Sequence, residues 1–409
     1  MFDVIVVGAR CAGSPLAMLL SRKGYRVLLV DKARFPSDTV STHVIWQAGL
    51  ARAQRWGLLD RITGLGAPRI HTVRFDIGEF ELAGCPPPLD GIDYAVAPRR
   101  TILDKLLVDA AVEAGTELRE DFYIREIAVE NGSVTGIRGC SSQGVVVQEN
   151  ARMVVGADGR HSLVAHAVRS PKYASRASTS CGYYTYWHGG PVVSDFEIFS
   201  RTGFAGALFP TNDGLVCIVG GWNDSFAGPK DRPEEGYRRL MGALPRTAEF
   251  LGQAEQVQPV IGMREFPAYF RKPHGDGWAL AGDAGYHKHP LSAQGITDAF
   301  RDSELLSEAI DAGFSGRREL SSALADYEQQ RNEAVMPMYE STCQRARLEP
   351  LPPELLALFR ALRHNQHEAD RFFGTDAGTV PIREFFAPEN VERITRPAPF
   401  AVRAFDSAA

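Results

Sequence analysis

The chain opens with a continuous apolar run, Phe2 to Val7, the pattern of a short strand buried on both faces. A glycine-bounded turn follows from Gly8 to Gly13. Ser14 to Ser21 then takes helical spacing, with Leu16, Leu19 and Leu20 on one side. A second apolar strand, Tyr25 to Val30, ends in Asp31. Strand, tight turn and helix in this order form a phosphate-binding unit, because the helix start offers free N–H groups and the positive end of its dipole. Pro15 suits the first helical turn, where its missing N–H costs nothing. Asp31 lies 23 residues beyond Gly8, close to the roughly 20 expected of a ribose-binding carboxylate. The fingerprint asks for three glycines, and Arg10 holds the middle place. Its guanidinium must either turn away or take a phosphate.

Further along, the periodicity predicts a helix over 44–56, preceded by Ser41 and Thr42. These two are candidates for capping it and for contacting a ligand at the strand ends. Thr72 to Ile77 and Glu79 to Leu82 read as strands of a second sheet. The chain returns with Arg99-Arg100-Thr101 and an amphipathic helix from Ile102 to Glu113. A cation at that helix start opposes the dipole, which an anionic ligand nearby would resolve. Asn131-Gly132 and Gln143-Gly144 are hairpin signals. Met153 to Gly156 is an apolar strand running into the Asp158-Gly159 turn. From about 171 to 272 the chain is strand-like and aromatic. Period 2 puts Tyr184, Tyr186 and His188 on one face and Tyr183, Thr185 and Trp187 on the other, one face for a core and one for a pocket. Gly277 to Ala284 is a strand ending at Asp283. The loop to Gly295 carries Tyr286, His287, Lys288, His289, Pro290 and Gln294, and a helix is predicted over 296–312. Helices dominate thereafter: Asp326 to Arg345, interrupted by Pro337, and an amphipathic packing helix from Glu354 to His364.

Composition narrows the class. The 409 residues are 44% hydrophobic and 23% charged, with a net charge of −5. That is ordinary for a globular enzyme and gives no basic surface for nucleic acid. No apolar run reaches the 18 or so residues of a membrane span. The first strand starts at residue 2, which leaves no room for a signal peptide. Six cysteines stand without metal-ligand or disulfide spacing, so no metal site is expected and a reducing, cytoplasmic setting is.

Three separated stretches share one character: VVGARCAGS with Asp31, VVGADGRHS at 154–162 and GWALAGDAGYHKHPLSAQG at 277–295. Together they resemble the three flavin motifs of class A flavoprotein monooxygenases, the aromatic hydroxylases of the p-hydroxybenzoate hydroxylase fold. Arg100, Leu103 and Asp104 match that group's RxxLD element. The wider superfamily includes geranylgeranyl reductases and flavin-dependent halogenases. The resemblance spans essentially the whole chain and implies an α/β architecture. A Rossmann-like FAD-binding domain (1–70, 97–170 and 273–330) would interleave with a β-sheet substrate domain (71–96 and 171–272), followed by a C-terminal helical segment (331–409).

The resemblance also implies roles. Gly8, Ala9, Arg10, Cys11, Ala12 and Gly13 would hold the FAD diphosphate, and Asp31 the adenosine ribose with Lys32 beside it. Ser41, Thr42, Arg100 and Ile124 would complete that side. Asp158 and Gly159 would sit by the diphosphate and serve a transient NADH or NADPH. Gly282 and Asp283 would bind ribitol, while Pro290, Gln294, Gly295 and Ile296 would face the ring system. The helix dipole there favours the anionic reduced flavin. His287 and His289 are the candidates for a catalytic base, and Tyr184, Tyr186, His188 and Phe209 for substrate contact. Tyr286 stands where the family often has a histidine. The implied reaction uses NAD(P)H and O2 to hydroxylate or epoxidise an apolar, aromatic small molecule through a flavin C4a-hydroperoxide, in a monomer or homodimer. A double-bond reductase of the geranylgeranyl type is the main alternative. Phe209-Pro210 matches its FP element, but the tryptophan of that element, and those of the halogenase WxWxIP motif, are missing from Gly203 to Pro210. A non-catalytic flavin-binding protein is the lesser alternative.

Overall fold

The computed structural model describes residues 1–141, 144–223 and 232–396. The Gln143-Gly144 turn signal falls partly outside them. The opening strand is Phe2–Val7, and the second, Val27–Val30, starts two residues later than the pattern implies. They pair in parallel with each other, and the first pairs in parallel with the end of the long strand Val146–Gly156. Trp278–Leu280 and Glu117–Arg119 extend the same parallel sheet on either side. Its central strands, Phe2–Val7, Val27–Val30 and the end of Val146–Gly156, are buried on both faces, as their Val, Ile and Leu runs require. On one face the helices Gly13–Arg22, Arg100–Glu113 and Gly295–Phe314 share one core with the sheet.

A second sheet runs in the order Ala254–Gln256, Cys181–Gly189, Val216–Trp222, Phe204–Pro210, Phe196–Arg201, Val73–Asp76, Glu81–Gly84. Its register lines up one row of side chains: Tyr184 opposite Val219, Val219 opposite Ala207, Ala207 opposite Ile198, Ile198 opposite Phe75. Alternation puts that row on a single face. The other face, with Tyr183, Trp187 and Trp222, packs its own core against Tyr237, Leu240 and Phe250. The split of the aromatic run into two faces therefore holds. The Asn131-Gly132 hairpin is present, with both residues at positive φ (51° and 85°), as a two-residue primed turn requires.

Three readings are corrected. Lys172–Arg176 and Ala268–Arg271 do not join the second sheet. They form a small third sheet with Tyr286–His287. The helix Leu320–Arg345 is continuous through Pro337, so a segment boundary at 330/331 would cut an intact helix. The helix after Thr42 begins only at Gln47 with no side-chain cap, and the Ser41 hydroxyl instead accepts from the His43 N–H (3.0 Å). Among the described residues, no helix is long and apolar enough to cross a membrane.

Candidate functional site

One continuous cavity of about 1370 Å³ runs from the first turn to the second sheet and the C-terminal helices. Single-ligand pockets span about 300–1,000 Å³, so this one has room for a cofactor and a substrate together.

The turn is shaped by its glycines. Gly8 has φ +103°, and a Cβ there would sit 2.5 Å from the Ala157 carbonyl oxygen. A Cβ on Gly13 would sit 1.8 Å from the Gly8 oxygen. These two positions let the turn close against the helix start and against the neighbouring strand end. Ala9 and Gly13 are part of that scaffold and not of the cavity wall, whereas Gly8, Arg10, Cys11 and Ala12 line it. The Ala9 N–H donates to Asp31 Oδ2 (2.7 Å) and the Ala33 N–H to Oδ1 (2.8 Å), which locks the carboxylate at the wall.

Arg10 points to the protein. Its guanidinium donates to Asp104 Oδ2 (2.6 Å), to the Ser37 hydroxyl (2.9 Å) and to the Asp38 carbonyl (3.2 Å). Asp104 is fully buried and also takes both bonds of an Arg100 fork (2.9 and 3.0 Å). One carboxylate thus holds two cations, so the triad itself carries a net positive charge. Burial alone would lower the Arg100 pKa, but the Asp104 charge raises it. This pairing, one turn along the same helix, resolves the cation at the helix start that the sequence left unexplained.

The remaining strand ends meet the same space. Asp31, Lys32, Ser41, Thr42, Ile124, Asp158, Gly159, Gly282 and Asp283 all line it, as do Pro290, Gln294, Gly295 and Ile296. Asp158 Oδ1 is buried without a partner, and burial raises its pKa. No side chain caps either Gly13–Arg22 or Gly295–Phe314 at its start. Two helix N-termini therefore carry N–H groups without side-chain partners, a donor set suited to a diphosphate at one and an anionic ring edge at the other. These residues fit an FAD.

Behind the second N-terminus lies a buried charge chain that sequence reasoning missed. Lys288 Nζ meets Asp298 Oδ2 (2.6 Å), Asp298 Oδ1 takes Arg301 (2.7 Å), and Arg301 reaches Asp302 (2.7 Å). Burial pulls Lys288 below its ordinary pKa. Burial alone would raise Asp298, but Lys288 and Arg301 hold it below the usual carboxylate value. Charges at 298, 301 and 302 inside an otherwise apolar helix start were the available signal.

His287 and His289 both line the cavity and are buried. His287 Nδ1 lies 2.7 Å from the Pro267 carbonyl, which can only accept, so Nδ1 carries the proton and Nε2 is left as the basic atom. His289 Nε2 lies 2.9 Å from the Ser180 hydroxyl. Burial, with His287 and Arg345 nearby, drives its pKa down to about 3. The substrate candidates divide. Tyr184 and Phe209 line the cavity. Tyr186 is fully buried beside it, its hydroxyl 2.6 Å from His43 Nε2. His188 lies exposed near the strand's end, away from the wall. Strand alternation gave the face correctly but not how far along the strand the cavity extends. The C-terminal helices supply the opposite wall through Phe359, Phe372 and Phe373, a contribution that their amphipathic pattern did not distinguish from simple packing.

Comparison with known proteins agrees with this geometry. The chain is 27% identical over 336 residues to 6-methylpretetramide 4-monooxygenase of Streptomyces rimosus, covering 79% of this chain and 78% of that protein. It is 27% identical over 310 residues to digeranylgeranylglycerophospholipid reductase 2 of Methanopyrus kandleri, covering 72% and 73%. Among solved structures, a flavoprotein/dehydrogenase of Cytophaga hutchinsonii superposes with a TM-score of 0.82 at 17% identity, over 96% of this chain and 98% of that one. The myxobacterial chondrochloren halogenase superposes at 0.76 and 20%, over 97% and 98%. Residues 1–342 match the family described as FAD binding domain, and the chain accordingly belongs to the class A flavoprotein hydroxylase family and is an FAD-dependent oxidoreductase.

Proposed function

We propose that the protein is a monooxygenase that takes electrons from NAD(P)H and inserts one atom of O2 into an apolar, aromatic small molecule, as a hydroxylation or an epoxidation. The observation that carries this reading is the continuity of the cavity from the glycine turn to an aromatic, apolar chamber. Bound FAD supplies the two-electron and oxygen chemistry. The chain's residues do the rest. The turn at Gly8, Asp31, Arg100 and Asp283 bind the cofactor. The row Tyr184, Val219, Ala207, Ile198 and Phe75 gives a flat apolar platform that orients a ring and excludes water. His287 accepts the substrate proton at Nε2, held in the right tautomer by the Pro267 carbonyl. His289, already neutral, serves as a wall and a hydrogen-bond partner of Ser180.

The test is product analysis with isotopically heavy dioxygen, the FAD-loaded enzyme, NAD(P)H and a panel of polycyclic phenols. Incorporation of one heavy oxygen atom is expected. NAD(P)H oxidation stimulated by polar aliphatic acids but by no aromatic compound would overturn the substrate class. Asp283→Ala is expected to purify with little FAD, and full flavin content in that variant would remove the residue from the cofactor site. Double-bond reduction stands as the second reading, favoured by the similarity to the Methanopyrus reductase. It is recognised by a product two hydrogens heavier with no oxygen incorporated.

A further inference from the structure

Many cations of this chain are paired, among them Arg152 with Asp3, Arg119 with Glu149 and Arg317 with Asp311. The outer edge of the cavity near Gly159 departs from that pattern. Lys172 and Arg271 stand directly opposite each other on antiparallel strands, a register in which like charges repel. Both lean on one ring: Lys172 Nζ lies 4.2 Å and Arg271 Cζ 5.2 Å from the Tyr269 centroid. The Tyr269 hydroxyl donates to the Arg160 carbonyl (3.0 Å), which brings a third cation to the same place. The Arg160 guanidinium reaches only a neutral oxygen, the Glu265 carbonyl (3.1 Å), and Arg271 reaches the Ser170 carbonyl (3.3 Å). Arg271 Nε is buried with no hydrogen-bond partner. No carboxylate of the described residues comes within ion-pair distance of Lys172, Arg160 or Arg271.

The patch is continuous with the site. Tyr269 stacks on His287 of the cavity wall, 6.0 Å between ring centres and 27° between planes. His161, next to Arg160, lines the cavity with Lys32, Asp158 and Gly159. Burial and the charges of Arg160, His287, Lys32 and Lys172 all depress the His161 pKa, which places these groups within electrostatic reach of one another. In a chain of net charge −5, three neighbouring cations that form no ion pair, with the Asp283 carboxylate within reach of Tyr269 but bonded to none of them, are a cost to the fold that a bound anion would relieve.

We propose that this edge docks the phosphates of the nicotinamide nucleotide and that Lys172, Arg160 and Arg271 select the 2′-phosphorylated form, NADPH over NADH. The inference rests on NAD(P)H being the reductant. A diphosphate alone does not need three unpaired cations beside a wall that already carries Lys32. A further phosphate uses them, and charge-assisted N–H to phosphate bonds are the strong ones.

Two measurements on the FAD-loaded enzyme test it. The first is anaerobic rapid mixing with NADPH and with NADH over a range of concentrations, following flavin bleaching. NADPH is expected to bind at least about tenfold more tightly, the worth of one charged hydrogen bond. Lys172→Gln is expected to erase most of that gap by weakening NADPH while moving NADH less than about twofold. The second is calorimetric titration of the oxidised holoenzyme with 2′,5′-ADP and with 5′-ADP, which needs no turnover. The 2′-phosphorylated compound is expected to bind more tightly and to lose its advantage in Lys172→Gln. Equal affinity for the two forms, or a variant that weakens both alike, overturns the proposal while leaving the monooxygenase reading intact. Bleaching by neither nucleotide removes the reductant assignment, and this inference with it.

Discussion

Removing the charge of Asp104 should damage the protein more than removing Arg10, although both belong to one ion triad. Asp104 is fully buried and bonds two guanidinium groups, Arg100 with 9% and Arg10 with 25% of the side chain exposed. Asp104→Asn keeps the shape and deletes the charge. Two cations then face each other across a neutral amide, one of them away from water, and breaking a buried pair in this way costs about 3–5 kcal/mol. Arg10→Met leaves Asp104 with both Arg100 bonds, so no buried charge is stranded. The loss is confined to a partly solvated cation and its contacts to Ser37 and Asp38, about 1–2 kcal/mol. In the double variant the repulsion between the arginines disappears along with Arg10. Its cost should therefore fall short of the sum by about 1–3 kcal/mol. Urea unfolding at a fixed saturating excess of FAD measures all three, because ligand linkage would otherwise add to apparent stability. The free energies are compared only where flavin fluorescence and far-UV circular dichroism give one transition. Equal costs for the two single variants, or strict additivity in the double, would refute a triad centred on Asp104.

Three further outcomes are expected. His43 and His289 both have pKa values driven down to about 3, chiefly by burial, against an ordinary 6.5. Below pH 6.5 the unfolded chain takes up protons that the folded one refuses. Stability should thus fall as pH drops from 6.5 towards 3, by about 1.4 kcal/mol per pH unit for each histidine. His43→Gln should flatten the slope of urea midpoint against pH, and an unchanged slope would dismiss the assignment. Gly13→Ala places a Cβ 1.8 Å from backbone oxygen, so the variant should purify without FAD or fail to fold, and normal flavin content would contradict the close approach. Ala207→Trp puts a large ring into the middle of the apolar row. The substrate KM should rise at least about tenfold while FAD content stays at wild-type level, by the usual cost of overpacking a filled site.

The FAD-binding half was legible because its signals are local. An unbroken apolar run, a tight turn and a terminal acid each occupy a few adjacent residues, and Gly8, Asp31 and Asp283 met at one wall as read. Arg10 shows where local reading stops. Its partner Asp104 lies 94 residues away, and nothing near Arg10 in the sequence says whether a guanidinium will bind phosphate or protein. Tyr186 and His188 fail for another reason. Alternation sets the face of a strand, but only the packing of neighbouring elements decides where along that face a cavity begins. Pro337 was read as a break because it lacks an N–H donor, yet the helix Leu320–Arg345 carries on through it. Neighbouring tertiary contacts outweigh the local penalty, since Val335, Met338 and Tyr339 are all buried on either side of it.

The reach of the family match bears on specificity. It ends at residue 342, whereas the cavity wall continues to Phe386. The helices Pro353–Leu362 and Gln366–Ala377 lie beyond the matched region. Phe359 and Phe372 from these helices both pack on Phe75, at the end of the apolar row, with centroids 5.7 and 6.5 Å apart. The residues proposed to hold the cofactor therefore lie within the shared part of the chain, and the helical wall of the proposed substrate chamber outside it. On the proposed function, changes in that wall alter which molecule fits without touching the turn at Gly8 or the wall at Asp283. Phe372→Ala should accordingly broaden the range of accepted ring systems while NAD(P)H still reduces the flavin at its normal rate. A variant that lost flavin reduction and substrate selection together would mean that the two walls do not act separately.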